Sequence, residues 1–195
     1  MNIAIKKFLI FPILFLLSGC FSLSNLNHFS YNFFEDESLK IVAPSYSPKW
    51  LKDNHINNHL SAIGLSKNTH EKEKEFYKKE VYLSASNNLL NKIYLKSGKL
   101  YKLYSDDTKN EHLFEKDIKE LAKRVSLKAL TYAKVKNRWL DEKENNYYIQ
   151  LSVDTKILAE IIQENSKQLF DENKTLYERF LSEDAKADII NYLES

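Results

Sequence analysis

The sequence predicts an α+β domain, in which one strand, a helix and a hairpin form a small antiparallel sheet with helices packed on one face. Three observations lead to this prediction. Residues 59–66 alternate in the manner of a strand, and residues 71–97 repeat apolar side chains at four-residue spacing. Two further alternating stretches, 130–140 and 147–154, flank the polar sequence DEKENN and predict a hairpin.

The chain opens with an N-terminal segment that is first charged, then apolar, then small. Lys6 and Lys7 precede the apolar run of residues 8–17, and Ser18, Gly19 and Cys20 follow it. This order is typical of a secretory signal peptide. The apolar run is too short for a membrane span, which needs about 20 residues. We therefore expect residues 1–19 to be a signal peptide.

The only cysteine of the chain stands at the end of this segment. Residues 17–20, Leu-Ser-Gly-Cys, match the bacterial lipobox, Leu-[Ala/Ser]-[Gly/Ala]-Cys. The motif predicts cleavage between Gly19 and Cys20, with diacylglycerol on the Cys20 thiol and a further acyl chain such as palmitate on its amine. The alternative is a buried core cysteine that follows an apolar run by coincidence.

Acylation of Cys20 would hold the protein at a membrane without a spanning helix. One acyl chain binds a bilayer only marginally, whereas two or three make a firm anchor. Phe21 follows the cysteine, in place of the aspartate that often retains lipoproteins at the inner membrane. We therefore expect a lipid-anchored protein of the outer membrane that faces the periplasm.

The charge balance makes nucleic acid an improbable partner. The whole chain has a formal charge of +2, but residues 1–19 contain Lys6, Lys7 and no acid. Their removal leaves 27 basic and 27 acidic residues, so the mature chain is formally neutral. Nothing in this balance predicts a polyanion as partner.

The remaining chain divides by pattern into three parts. Residues 20–47 are the acylated cysteine and a tether, whose reach as a flexible coil is roughly 30 Å. Residues 48–165 form the α+β domain, and residues 166–195 form a C-terminal helical extension. The aromatic residues of the tether leave an alternative open, in which they dock on the domain or lie at the membrane interface: Phe29, Tyr31, Phe33 and Phe34.

The first half of the domain is predicted as a strand and a long helix. Residues 59–66 place Leu60, Ala62 and Gly64 on one face of the strand. Asn68 and Glu71 fit a helix N-cap and its reciprocal acid. Gly98 marks the expected end of the helix. Apolar residues four apart form its buried face: Tyr77, Val81, Ala85, Leu89 and Ile93.

The second half begins with a weak strand at residues 99–105 and a helix at 112–126. The hairpin follows, and Asp154 begins a helix with Ile157, Leu158, Ile161 and Ile162 on its apolar face. Ser182 with two acids after it predicts the N-cap of a last short helix. The hairpin is expected to place these side chains on one face of its two strands: Ala133, Val135 and Trp139, and then Tyr147, Ile149, Leu151 and Val153.

Two histidines are the only metal candidates. His55 and His59 stand four apart in HINNH and would share one helix face, as in the zinc-protease motif His-Glu-x-x-His. Ile56 occupies the position of the general base, which excludes that protease chemistry. We expect both histidines to be solvated surface residues, and we predict no metal and no cofactor.

No residue set predicts catalysis. The cysteine is used by acylation, and no Gly-x-Ser-x-Gly elbow is present. Asp141 and Asp154 flank the hairpin, where turn and cap roles account for them. Trp50 and Trp139 are expected to be core or half-buried sheet residues. We therefore expect neither an enzyme nor a small-molecule substrate.

Several of these pieces together resemble the LPP-twenty lipoproteins, small outer-membrane lipoproteins of polarly flagellated, spiral Gram-negative bacteria. The resemblance covers residues 48–162 and depends on the order of its motifs, which are the lipobox, residues 48–51, residues 62–66, the long helix, residues 139–141 and residues 147–154. It implies a strand–helix–hairpin–helix domain at the outer membrane without catalysis. One branch is similar in layout to the flagellar basal-disc lipoprotein that motility requires.

Two features depart from this resemblance. Tyr77, Tyr82 and Leu83 stand in the long helix where the family tends to have small residues, and the tail from Ser166 lies beyond the pattern. We expect a non-enzymatic scaffold or assembly subunit, either a homo-oligomer or a partner of flagellar or envelope proteins. The alternative is a surface-exposed lipoprotein that binds host or envelope components.

Overall fold

A computed structural model of the chain describes residues 41–67, 74–107, 115–169 and 174–195. The chain divides into two units, residues 1–32 and residues 33–195. The first unit lies wholly outside the described residues. The predictions for the signal peptide, for Gly19 and Cys20 and for the cap at Asn68 therefore stay predictions.

The fold is α+β, with a three-stranded antiparallel sheet and helices packed on it, which confirms the predicted class. The strands lie in the order β1-β3-β2. Both edges of the sheet therefore belong to strands that pair on one side only. The elements are α1 (Lys49–Lys52), β1 (His59–Ser66), α2 (Lys74–Asp107), α3 (Glu115–Leu130), β2 (Lys134–Asp141), β3 (Asn146–Asp154), α4 (Thr155–Asn165), α5 (Lys174–Phe180) and α6 (Glu183–Glu194), with a 3-10 turn at Ser166–Leu169.

The main core lies between the sheet and helices α2, α3, α4 and α6. The predicted face of α2 is buried, since Val81, Ala85, Leu89 and Ile93 are at most 1 % exposed. Side chains from helices α5 and α6 are buried in the same core, so these two helices pack against the rest of the described domain. These C-terminal core residues are Phe180, Ile189 and Leu193.

Strand β1 occupies the predicted residues and lies directly against α2. Gly64 faces α2, and a Cβ atom there would overlap the backbone of Val81 and Ala85, with the Ala85 Cα only 2.7 Å away. The lack of a side chain at Gly64 is therefore what lets strand and helix approach this closely.

A row of polar side chains on α2 covers the free edge of β1. Asn88 Nδ2 donates to the Ile63 carbonyl at 2.7 Å, and Lys92 Nζ donates to the Ser61 carbonyl at 3.2 Å. Ser84 Oγ accepts from the Leu65 amide at 3.1 Å. The spacing fits because four helical residues rise about 6 Å, while two strand residues rise about 6.6 Å. The helix therefore pairs with backbone groups that a further strand would otherwise use.

Helix α2 does not end at Gly98, and the predicted strand at 99–105 is wrong. The helix continues to Asp107, and Leu100 and Tyr101 extend its buried face. The Tyr101 hydroxyl donates to the Ile162 carbonyl of α4 at 2.9 Å. Burial of these side chains outweighs the cost of an internal glycine, which is about 1 kcal/mol.

The hairpin is present, but its first strand does not keep one face. Val135 pairs with Leu151, and Asn137 pairs with Gln150, so the register shifts by one residue between them. This irregularity is a β-bulge, which reverses the side-chain alternation beyond it. Val135 therefore packs on the main core, while Trp139 lies on the opposite face of the sheet. The prediction that both share a face is wrong for this reason.

The predicted capping residues are confirmed. Asp154 accepts from the amides of Lys156 and Ile157 at the start of α4. Ser182 accepts from the Ala185 amide at the start of α6. The second predicted helix is also present as α3, and it runs four residues further than the expected end at Ser126.

Candidate functional site

The face of the sheet opposite the long helices is covered by residues 41–54, which we call the strap. Ile41, Ala43 and Trp50 pack against a second small core of Leu51, Ile63 and Tyr148. Contact with the sheet therefore begins by residue 41, within the stretch that sequence analysis assigned to the tether. The strap is where the predicted tether joins the folded domain.

Tyr46 attaches the strap to the hairpin. Its hydroxyl donates to the two carboxylate oxygens of Asp141, at 3.0 and 2.9 Å. Its ring packs edge-on against the Trp139 ring, with the two ring centroids 6.1 Å apart. Lys143 Nζ lies 4.3 Å from the centroid of the Tyr46 ring. Desolvation and the Asp141 carboxylate raise the pKa of Tyr46 to about 12. The hydroxyl is therefore a protonated donor at any ordinary pH.

Asp141 also organises the hairpin turn, as its position predicted. The side chain is buried, and its Oδ1 accepts from the Lys143 amide at 3.1 Å. One carboxylate thus holds both the turn after β2 and the strap. Trp139 stacks on Tyr148 with the two ring centroids 5.3 Å apart, and it is a half-buried sheet residue as expected. Trp50 is also half-buried, but it lies in α1 and not in the sheet.

The far end of the strap is fixed by a polar network on the same face. Gln150 is fully buried, and its Nε2 donates to the Asn54 carbonyl at 2.9 Å. Asn137 Nδ2 donates to Gln150 Oε1 at 2.7 Å, and Ser61 Oγ donates to the same Asn54 carbonyl. The strap is therefore held by hydrogen bonds at two points, Tyr46 and Asn54.

The two candidate metal ligands, His55 and His59, do not share a helix face. His55 lies in a loop and His59 is the first residue of β1, because a tight turn with Asn58 at φ 60° separates them. His55 Nε2 lies 3.0 Å from Asn57 Oδ1, and His59 Nδ1 lies 2.9 Å from the Asn57 carbonyl. Within the described ranges, no group of three histidine, cysteine or acidic side chains is arranged to hold a metal ion.

Two further groups with displaced pKa values hold helices together. Burial raises the pKa of Tyr101, whose hydroxyl bonds α4. Burial, followed by the neighbouring charges of Lys92 and Lys99, lowers the pKa of Lys96. Lys96 Nζ donates to the Tyr192 carbonyl in the last turn of α6 at 3.1 Å, where a cation is favourable.

The outer edge of β2 carries cations that sequence analysis did not single out. Lys134, Lys136 and Arg138 are all exposed, and Tyr132 and Leu140 flank them with 46 % and 41 % exposure. In the part of the chain that the structure describes, none of the three cations forms a salt bridge. The alternating basic residues of KVKNR are the signal that could have found this edge.

No helix among the described residues is both long and apolar enough to cross a membrane. The predicted lipidation residue, Cys20, precedes the first described residue. Comparison with family models, with curated proteins and with solved structures found no match to this chain.

Proposed function

We propose that this chain is a lipid-anchored, non-enzymatic protein of the outer membrane, acting as a scaffold or assembly subunit on the periplasmic side. The lipobox that ends in Cys20 is the observation that carries the proposal. The resemblance to the LPP-twenty lipoproteins, including the flagellar branch, belongs to this proposal.

The strap supports an anchored role. A protein held through its N-terminus needs the first folded residues fixed to the core, so that a pull on the anchor does not peel them away. Tyr46 supplies this fixation through Asp141, which lies 95 residues further along the chain. Force on residue 41 is therefore passed to the β2–β3 hairpin.

The roles of the displaced titratable groups favour a scaffold over a catalyst. Tyr46, Tyr101 and Lys96 each use the polar atom in a contact that joins two elements. Perturbed groups in active sites instead face a cleft where substrate can reach them.

Helix α2 offers a surface for assembly. At 34 residues it is about 50 Å long, and Tyr82 and Leu83 are exposed on it by 46 % and 48 %. We expect the purified chain to self-associate at micromolar concentration, measured by sedimentation. A strictly monomeric profile at high concentration would count against the assembly part of the proposal.

The anchor is tested by Cys20→Ala and cell fractionation, with motility scored on soft agar. We expect wild type in the outer membrane and release of the variant. Ser18→Ala is the matched control, because the lipobox accepts alanine at that position. A Cys20→Ala protein that stays membrane-bound and uncleaved contradicts the anchor. Unchanged motility on release removes the flagellar branch but leaves the anchor.

Protease treatment of intact cells separates the periplasmic proposal from the surface-exposed alternative. Protection of the chain in intact cells, with digestion after the outer membrane is opened, is the expected result. Complete removal from intact cells would place the domain on the outside and favour a role in binding host or envelope material.

A further inference from the structure

We propose that the outer edge of β2 binds anionic phospholipid headgroups of the bilayer in which the chain is anchored. We call this surface the basic edge, and it consists of Lys134, Lys136 and Arg138 with Tyr132 and Leu140 at its ends. The proposal rests on the proposed acylation of Cys20 for its geometry, but its test does not use the acyl chains.

The unpaired state of the cations is the first reason. Elsewhere on the described surface, Lys128 and Lys186 pair with Glu164 and Glu160 at 2.5 and 2.8 Å. Among the described residues, the three cations of the basic edge have no such acid, although they fall within five consecutive residues. Lys134 pairs with Ser152 and Arg138 pairs with Ile149, so the bulge turns these two cations to opposite faces of the sheet. Their charges therefore combine only along the outer edge of β2, where long side chains from both faces can reach an external anion.

The position of the strap is the second reason. Tyr46 contacts Trp139, which stands in β2 between Arg138 and Leu140. The strap therefore contacts the sheet beside the basic edge. Twenty residues separate Cys20 from Ile41, a length that spans at most about 70 Å. The anchor would keep the basic edge at high local concentration beside headgroups.

The flanking side chains suit a membrane interface. Tyr132 and Leu140 expose apolar surface at the two ends of the basic edge. Tyrosine is enriched where one end of a side chain meets hydrocarbon and the other meets water. Each cation beside an anionic leaflet raises the affinity of the protein for the membrane about 5-fold, so three cations raise it about 100-fold.

Strand addition at this edge is disfavoured, which argues against a second copy or an acidic peptide as the occupant. The bulge between Val135 and Asn137 breaks the regular backbone ladder that a new strand would need. A second copy paired antiparallel on β2 would also set lysine rows against each other. Contact through long side chains with a headgroup surface needs neither a ladder nor a register.

The test is flotation of the chain from residue 20 onward with Cys20→Ser, on phosphatidylcholine vesicles with and without phosphatidylglycerol. This form carries no acyl chain and lacks the apolar residues 8–17, which would bind any vesicle. It keeps every described core residue, since both cores lie after residue 40. Thermal unfolding checks that each variant is folded.

We expect binding to the anionic vesicles only, weakened by salt, and a loss of about 100-fold in the triple variant Lys134→Gln, Lys136→Gln, Arg138→Gln. The control triple variant removes the same charge from α2, by Lys79→Gln, Lys99→Gln and Lys102→Gln, and should retain binding. Equal losses in both variants, or no preference for anionic vesicles, overturn the proposal. Capture of soluble polyglutamate without vesicle binding would overturn it in favour of an acidic protein partner.

These outcomes are independent of the anchor. If the soluble chain does not float with vesicles but Cys20→Ala is released from cells, the headgroup proposal is overturned and the lipoprotein proposal stands. If the soluble chain floats with anionic vesicles only, but Cys20→Ala stays uncleaved and membrane-bound in cells, the headgroup proposal stands and the lipoprotein proposal is overturned.

Discussion

Gly64 of β1 lies against the backbone of Ala85 in α2, so closely that a Cβ atom at position 64 would overlap it. Gly64→Ala should therefore push the strand from the helix and lower the free energy of unfolding by about 3 kcal/mol. Where space is available, the same substitution stabilises by about 0.4–1 kcal/mol. Urea unfolding measures whether the substitution lowers or raises the free energy of unfolding. A variant more stable than wild type would contradict the close contact between Gly64 and Ala85.

The polar cover on β1 predicts a difference between two adjacent asparagines. Asn88→Ala removes the donor to the Ile63 carbonyl and should cost about 1–2 kcal/mol of unfolding free energy, because a partly buried acceptor loses its partner. Asn87→Ala is the matched control, since the described structure shows no hydrogen bond for that side chain. Equal effects of the two substitutions would show that the Asn88 bond contributes nothing.

Tyr101 predicts a loss of stability in alkali. Its pKa is raised by burial, so the neutral form belongs to the folded state and the unfolded tyrosine ionises first. The stability it supplies is complete below pH 10, the ordinary pKa of tyrosine, and falls as pH rises above it. Tyr101→Phe should cost about 1 kcal/mol at neutral pH through the lost bond to Ile162.

Above pH 10 the gap between wild type and Tyr101→Phe should close by about 1.4 kcal/mol per pH unit. Urea unfolding of both proteins at neutral pH and at alkaline pH measures this gap. Two stability curves that stay parallel through the alkaline range would show that the Tyr101 hydroxyl ionises as easily in the folded protein.

Tyr46→Phe should loosen the strap without unfolding the domain. The variant keeps the ring that contacts Trp139 but loses both bonds to Asp141. We expect faster tryptic cleavage after Lys49 and Lys52, while the midpoint of urea unfolding changes little. Tyr82→Phe, at an exposed tyrosine of α2, is the control. Unchanged cleavage in Tyr46→Phe would show that the strap is held by its apolar contacts alone.

Local patterns were sufficient for the fold class. The residues of β1 follow from their alternation, and the caps at Asp154 and Ser182 follow from single side chains before apolar runs. The helix end predicted at Gly98 was wrong because a glycine indicates a stop only by its local propensity. The burial of Leu100 and Tyr101 against distant helices, which no local pattern contains, decided the end of α2.

The missed features depend on long-range contacts or on one extra residue. The bulge near Lys136 shifts the alternation by one position, and the side chains on either side of it are all plausible strand residues. The strap depends on a bond between Tyr46 and Asp141, and nothing near either residue predicts it. Both misses concern the same face of the sheet, where the candidate site lies.

The cover that α2 provides for β1 has a consequence for the order of folding. Ser84 and Asn88 follow the strand residues they bond by 19 and 25 positions, whereas β3 pairs with β1 from far along the chain. Closing the shorter loop costs less entropy, so the helix can settle on the strand before its partner strand arrives. A half-folded chain would then offer neighbouring molecules one strand edge instead of two, at the stage when aggregation is fastest.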